Sequence, residues 1–370
     1  MHDLPDFPWD RLAPYKRAAA RHPGGLVDLS IGTPVDPTPG VVQRALRAAA
    51  DAPGYPMTYG TPRLREAAAG WLRRRLGVAE ADPDAVLPLI GTKEFVAWLP
   101  TLLGAGPGDV VVFPELAYPT YDVGARLAGA RPMATDGLFA LGPITPKLVW
   151  LNSPSNPTGK VLPIEHLRKV VAWARERGVL LVDDECYIEH SWSNAPDDRP
   201  ISILHPDVCE GSHEGLLALH SLSKRSNLAG YRAGFVTGDP AVVRRLLEVR
   251  RHAGMMVPAP VQAAMTAALE DDAHADEQRA RYARRRAALR KALLGYGFRI
   301  DHSQAALYLW ATIDEPCWET TGRLADLGIL VAPGEFYGAK GSHHVRVAFT
   351  ATDDQVASVV ERLTPRPAEG

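Results

Sequence analysis

Cysteine is scarce in this chain: Cys186, Cys209 and Cys317 lie far apart among 370 residues, odd in number and in no C-x-x-C spacing. That excludes a disulfide framework and offers no zinc pattern, so no metal is expected. An excess of one charge is also lacking. Lys and Arg number 41 against 43 Asp and Glu, a net charge of −2, which creates no field to attract nucleic acid or an anionic membrane. No apolar run approaches the roughly 20 residues of a membrane span. The start, acidic and broken by Pro5 and Pro8, has neither the basic residues nor the apolar stretch of an export signal. The expected partners are small molecules, with no nucleic acid and no membrane, and the expected compartment is the reducing cytoplasm.

What is present fits two lobes and a large core, since 46% of the residues are hydrophobic and the length allows roughly 100 to 200 residues per domain. Six prolines precede Pro39. Residues 1–40 therefore read as an arm draped over other structure, with a short helix near 14–21 and a strand-like run over 29–34 that turns at Gly32. Thr61 as N-cap, Pro62 at the first helical position and Gly77 as the stop predict a helix over 62–76. From 85 to 237 strands (85–90, 110–113, 147–151, 179–183, and the runs on either side of residues 221–232) alternate with helices (95–103, 163–177). This alternation implies a mainly parallel sheet covered by helices on both faces. Long helices follow over 240–251, 258–270 and 273–294, and the arginines at 284, 285, 286 and 290 read as a solvated face. The tail, with strands near 307–313, 328–331 and 344–349, reads as a small α+β lobe.

The chemistry concentrates in Ser221-Leu222-Ser223-Lys224, followed eight residues later by Arg232. A lysine among small hydroxylated residues, flanked by apolar runs and near a second cation, can have its pKa lowered and act as an amine nucleophile. Spacing alone equally allows a solvated Lys and Arg in a loop. Three other segments also end apolar runs in polar groups: Gly91-Thr92-Lys93-Glu94, whose glycine turn opens a helix with free N–H groups, Asn152 to Gly159, and Asp183-Asp184-Glu185-Cys186-Tyr187. All lie at strand ends, where ligands bind in open α/β sheets.

The pattern S-x-S-K-x-x-x-x-x-G-x-R-x-G, with N-x-P-x-N-P-T-G at 152–159 and D-E-x-Y at 184–187, resembles the class I/II aminotransferases of fold type I, and the resemblance extends over the whole chain. It implies an α/β fold whose large domain, 41–262, has a mainly parallel sheet covered by helices and binds pyridoxal 5′-phosphate. A small α+β domain would come from both termini, 1–40 and 263–370. Lys224 would carry the cofactor covalently. Ser221 and Arg232, with Ser223 beside them and the loop at Thr92 and Lys93, would hold its phosphate, and Tyr118 would stack on its ring. Asn156 and Tyr187 would reach its O3′. Asp184 would pair with the pyridine nitrogen, with Asp183 the other choice at that strand end. Arg346, in H-V-R-V-A-F, would clamp the substrate α-carboxylate beside Gly32 and Asn156. Tyr55, five residues before Gly60, matches a tyrosine that reaches the neighbouring subunit's phosphate, which implies a homodimer with shared sites.

A narrower resemblance, carried by residues 4–10 and 27–37, is to the N-succinyldiaminopimelate aminotransferases of lysine biosynthesis. It implies amino transfer between glutamate and N-succinyl-2-amino-6-oxopimelate. Other specificities (aspartate, aromatic, N-acetylornithine) and a cofactor-dependent C–S β-lyase are the alternatives. A cofactor-sensing regulator is remote, because the proline-rich first 40 residues leave no room for a DNA-binding module.

Overall fold

A computed structural model describes residues 4–193, 195 and 198–364. Its strands, in chain order, are β1 (Val27–Asp28), β2 (Val86–Ile90), β3 (Val110–Phe113), β4 (Arg131–Ala134), β5 (Leu148–Leu151), β6 (Leu180–Asp184), β7 (Leu216–Ser221), β8 (Ala233–Gly238), β9 (Arg299–Asp301), β10 (Tyr308–Thr312), β11 (Ile329–Leu330), β12 (Ala332–Pro333) and β13 (Val345–Ala348). Seven of them form a sheet in the order β2-β8-β7-β6-β5-β3-β4. The pairs β3 with β4, β3 with β5, β5 with β6 and β6 with β7 are parallel, and β8 runs antiparallel to both of its neighbours. The inner strands are mainly apolar because both faces are covered, with polar residues such as Asp183, Asp184, His220 and Ser221 at strand ends, whereas edge strand β4 (Arg131–Ala134) is exposed or half-buried. In β3, Val110 and Val112 pack into one core while Val111 and Phe113 pack into another. Each such buried side chain contributes on the order of 1.5 to 3 kcal/mol.

The helix Pro62–Leu76 starts and stops as its sequence signals require. Thr61 Oγ1 accepts the Leu64 N–H at 3.2 Å, Pro62 opens the helix, and Gly77 closes it at φ 69°. The helix after β2 differs from expectation: it begins at Thr92 rather than Phe95. Gly91 sits at φ 74° and turns the chain within one residue, so Thr92 and Lys93 belong to the first helical turn.

The second sheet, β12-β13-β10-β9, is antiparallel. Tyr282, Leu289 and Leu293 of helix Ala273–Tyr296, and Val356 and Val359 of helix Asp353–Leu363, pack into its core. The arginine run does not form a uniformly solvated face. Arg284 and Arg290 are exposed, but Arg285 is buried and paired with Asp36 and Asp353 at 2.8 and 2.6 Å, and burial lowers the pKa of Arg286 to about 10. Helical periodicity turns adjacent arginines to different environments, and the N-terminal segment supplies Asp36 as the buried counter-charge.

The run over 29–34 is not strand; the strand, β1, is Val27–Asp28 just before it. β1 pairs with β11, and Leu29 still donates to the Leu330 carbonyl at 2.7 Å. Asp28 Oδ1 then accepts the Ser30 N–H at 3.0 Å and bends the chain away. Upstream, the short 3₁₀ turn Pro8–Leu12 leads into helix Ala13–Ala19. Trp9 lies 5.3 Å from the Phe336 ring and Arg11 sits over Trp318, so the arm is anchored on the second sheet's side.

Candidate active site

The C-terminal ends of β5, β6 and β7, with the turn after β2, open onto a cavity of about 930 Å³. Strand alternation decides which aspartate reaches it. Asp184 lines the cavity, whereas Asp183 is turned to the other face, where its Oδ1 accepts the Ser153 N–H at 3.0 Å. Asp184 is held from three directions. Tyr121 donates to Oδ2 at 2.9 Å, the Cys186 N–H donates to Oδ1 at 3.2 Å, and Asn152 Nδ2 fixes the backbone carbonyl at 2.7 Å. Burial raises its pKa, while the hydrogen bonds from Cys186 and Tyr121 oppose the rise. A cation placed against this carboxylate would reverse the burial effect.

Lys224 stands in the short helix Leu222–Arg225, whose N-cap Ser221 accepts the Ser223 N–H. Its Nζ donates to the Gly32 carbonyl, and desolvation lowers its pKa, the direction an amine nucleophile needs. Ser221, Ser223 and Arg232 line the same corner as Thr92 and Lys93. No side chain caps helix Thr92–Leu102, so its positive end is open to the cavity. Arg250, fully buried, binds Glu94 at 2.9 and 3.1 Å and neutralises the carboxylate in that first turn. A Cβ at Gly91 would lie 2.3 Å from Arg232 Nη2, so the glycine is what lets the guanidinium close this corner. Burial and Arg232 lower the Lys93 ammonium.

At the opposite end Arg346 is buried, with Nη1 donating to Asn156 Oδ1 and Nη2 to the Ser30 carbonyl, both at 2.7 Å. Its guanidinium lies 4.0 Å from the Tyr308 ring centroid, and its buried Nε has no protein partner. Tyr187 lines the cavity between these groups, its hydroxyl 2.7 Å from that of Tyr308. Tyr118 lines the wall edge-on to Tyr121, with burial pushing its phenol up to about 12. Leu4 to Trp9 of the arm form the mouth.

Every site residue expected from the sequence borders the cavity except Tyr55, which is 97% exposed and does not line it. Sequence reasoning missed Tyr121, Asn152, Cys186 and Tyr308, and did not assign the arm's Phe7 and Trp9 to the mouth. Asn152 stood inside the fingerprint already quoted. Tyr121 follows Tyr118 by three residues, a spacing that places both on one side of a helical turn. Nothing local marks Tyr308, which reaches the site only through the pairing of β10 with β13.

The donor set fits a phosphorylated pyridine aldehyde. Hydroxyls, Arg232 and an open helix end suit the phosphate, Asp184 suits a protonated ring nitrogen, and Lys224 suits the aldehyde. Arg346, with its free Nε, is left for a carboxylate. Four cations (Lys93, Lys224, Arg232, Arg346) against two carboxylates (Asp6, Asp184) line the cavity, so it carries spare positive charge for anionic occupants. Among the described residues no cluster of metal ligands occurs, and no helix is long and apolar enough to cross a membrane.

Comparison with known proteins gives one picture. Residues 25–363 match the family model for aminotransferase class I and II. The 4-dedimethylamino-4-oxo-anhydrotetracycline transaminase OxyQ of Streptomyces rimosus is 65% identical over 98% of this chain and its own full length. A probable aminotransferase of Mycobacterium tuberculosis, Rv1178, is 64% identical over 98% of this chain and 85% of its own. Among solved structures, a probable N-succinyldiaminopimelate aminotransferase from Thermus thermophilus superposes with a TM-score of 0.85 at 30% identity, covering 96% of this chain and 99% of that one.

Proposed function

This chain belongs to the class I and II aminotransferases, pyridoxal-phosphate enzymes of fold type I, and on that premise we propose that it moves an amino group from glutamate to N-succinyl-2-amino-6-oxopimelate, giving N-succinyl-L,L-diaminopimelate and 2-oxoglutarate. The observation that carries the chemistry is the convergence of Lys224, Asp184 and Arg346 on one cavity, with the Arg346 Nε unpartnered.

When bound, the cofactor supplies an electron sink for the charge left as the substrate Cα loses its proton. We assign Asp184 to the ring nitrogen, where its anionic form holds the proton that makes the ring electron-poor. Tyr121 and the Cys186 N–H keep that carboxylate in place. Lys224 would be the base that removes the Cα proton and the acid that returns it on the other side of the amino nitrogen, a role eased by its desolvated amine. Arg346 binds the α-carboxylate, with Gly32 and Asn156 beside it. Ser221, Ser223, Arg232, Thr92 and the Lys93 backbone hold the phosphate, Tyr118 covers the ring, and Asn156 and Tyr187 reach its O3′. We divide the chain as its sequence suggests, into 41–262 and a second unit from 1–40 and 263–370, with the site between them.

The succinylated substrate is supported by cavity size, by the Thermus relative, and by the Lys93 side chain at the mouth, its Nζ 5.6 Å from the Phe7 ring centroid and with no carboxylate partner among the described residues. A second reading, a flat polycyclic ketone as acceptor, is favoured by the apolar arm side of the mouth, Leu4, Phe7, Trp9 and Ile31, and by likeness to OxyQ. The assay that decides follows kcat/KM for N-succinyl-L,L-diaminopimelate, N-acetylornithine, aspartate and phenylalanine with 2-oxoglutarate, and for a 4-oxo-anhydrotetracycline with glutamate. The succinylated substrate should lead by at least tenfold, about 1.4 kcal/mol of transition-state binding. Preference for any competitor removes the lysine-pathway assignment and leaves the aminotransferase. Release of pyruvate and ammonia from cystathionine without a 2-oxo acid would instead indicate a β-lyase.

The dimer is proposed from Tyr55. An aromatic ring 97% exposed has no packing role in its own chain, and its place in the Y-x-x-x-x-G pattern assigns it to a neighbour's phosphate corner. Mixed Tyr55→Phe and Lys224→Ala chains should regain activity that neither has alone, since one site of the mixed dimer then holds both native residues. Full activity in a chain that sediments as a monomer rules the shared site out.

A further inference from the structure

Tyr308 has no role in the scheme above, yet it touches three of its parts. It is 2% exposed on β10, its hydroxyl lies 2.7 Å from that of Tyr187, and the Arg346 guanidinium rests 4.0 Å over its ring. A Cβ on Gly32 would come within 2.6 Å of its hydroxyl oxygen, so Gly32 is glycine because this ring lies against it. The strand pairing explains the meeting: Tyr308 is the register partner of Ala348, two residues along β13 from Arg346.

We propose that Tyr308 is a positioning residue that orients the Tyr187 hydroxyl by donating a hydrogen bond to it and, through its ring face, seats the Arg346 guanidinium. The inference rests on the assignment of Tyr187 to the cofactor's O3′. Each phenol has one proton, and a pair of hydroxyls at 2.7 Å shares one of the two. If Tyr187 donated to Tyr308, it would have no proton left for the cavity. If Tyr308 donates, the Tyr187 proton is free to point inward, and the donation it receives strengthens the one it makes. One side chain then ties the hydroxyl that faces the cofactor to the cation that faces the substrate.

The test uses the holoenzyme and four variants: Tyr308→Phe, Tyr308→Leu, Tyr187→Phe and the double Tyr187→Phe/Tyr308→Phe. The first readout is the pH midpoint of the bound cofactor's absorbance without substrate. A donor aimed at the ring's hydroxyl oxygen favours its deprotonated form, so weakening that donor raises the midpoint. Tyr308→Phe should raise it by roughly half a unit to one unit, the worth of one hydrogen bond. Tyr187→Phe should raise it further, and the double variant should match Tyr187→Phe. The second readout is KM for glutamate. Tyr308→Phe keeps the ring and should leave KM unchanged, while Tyr308→Leu removes the ring and should raise it about 3- to 30-fold. A midpoint that stays put in Tyr308→Phe, or that moves again when Tyr308→Phe is added to Tyr187→Phe, overturns the proposal and leaves the Tyr187 assignment standing. An unmoved midpoint in Tyr187→Phe overturns both.

Discussion

In Lys224→Ala, borohydride no longer fixes the cofactor to the protein, and turnover falls by at least the roughly 10² to 10⁴-fold that a positioned acid–base group supplies. The full loss should exceed that range, because the same amine is also assigned the bond to the cofactor, so that two functions vanish with one side chain. The variant should still bind the cofactor. The corner proposed to hold its phosphate is lined by Ser221, Ser223, Thr92, Arg232 and the open end of helix Thr92–Leu102, none of which depends on the lysine. The fold should also survive, since the Lys224 Nζ makes one hydrogen bond, to the Gly32 carbonyl, and the adjacent Arg225 anchors the turn through Glu189 and Asp272. Reduced cofactor recovered on a peptide without Lys224 would refute the assignment outright.

Asp184→Asn and Asp183→Asn should part company, although the residues are neighbours. Asparagine at 184 keeps the shape and the Tyr121 contact but loses the charge assigned to the cofactor nitrogen. Removing one preorganised electrostatic partner of a developing charge costs about 10² to 10³ in kcat. Asp183 faces away from the cavity. Burial and the nearby Asp184 charge hold its pKa well above the ordinary 3.8, and an amide oxygen can still accept the Ser153 N–H. Asp183→Asn should therefore stay within about threefold of the parent, under 1 kcal/mol. Equal losses in the two variants would mean that the strand-end assignment is wrong. Absorbance spectra after adding glutamate separate a chemical defect from a binding defect, since a binding defect is relieved at high glutamate.

The chain order of elements was legible because each rests on local chemistry. Thr61, Pro62 and Gly77 bound their helix as caps do, and β3, β5, β6 and β7 read as apolar runs because a sheet buried on both faces requires them. One error arose because distant partners decide the outcome, and two because a local turn went unread. Arg285 is buried because Asp36 and Asp353 meet it from remote segments, and no window around residue 285 contains either. The 29–34 run leaves the strand because the Asp28 side chain captures Ser30. The helix after β2 starts three residues early because Gly91 turns the chain in a single left-handed residue.

By itself the sequence determined the class of chemistry: a lysine between small hydroxylated residues, an aspartate ending a buried strand, and an arginine on a late strand, in an order that resembles one enzyme family. It could not choose between Asp183 and Asp184 on physical grounds, because that choice depends on which face of β6 meets the cavity, a property of the whole sheet. Nor could it find Tyr308. That ring lies 121 residues from Tyr187 and 38 from Arg346, and only the antiparallel pairing of β10 with β13, packed against the end of β6, brings the three together. The sequence thus identified reactive side chains one at a time, while hydrogen bonds of 2.7 Å between residues so far apart in the chain exist only once the two sheets have packed together.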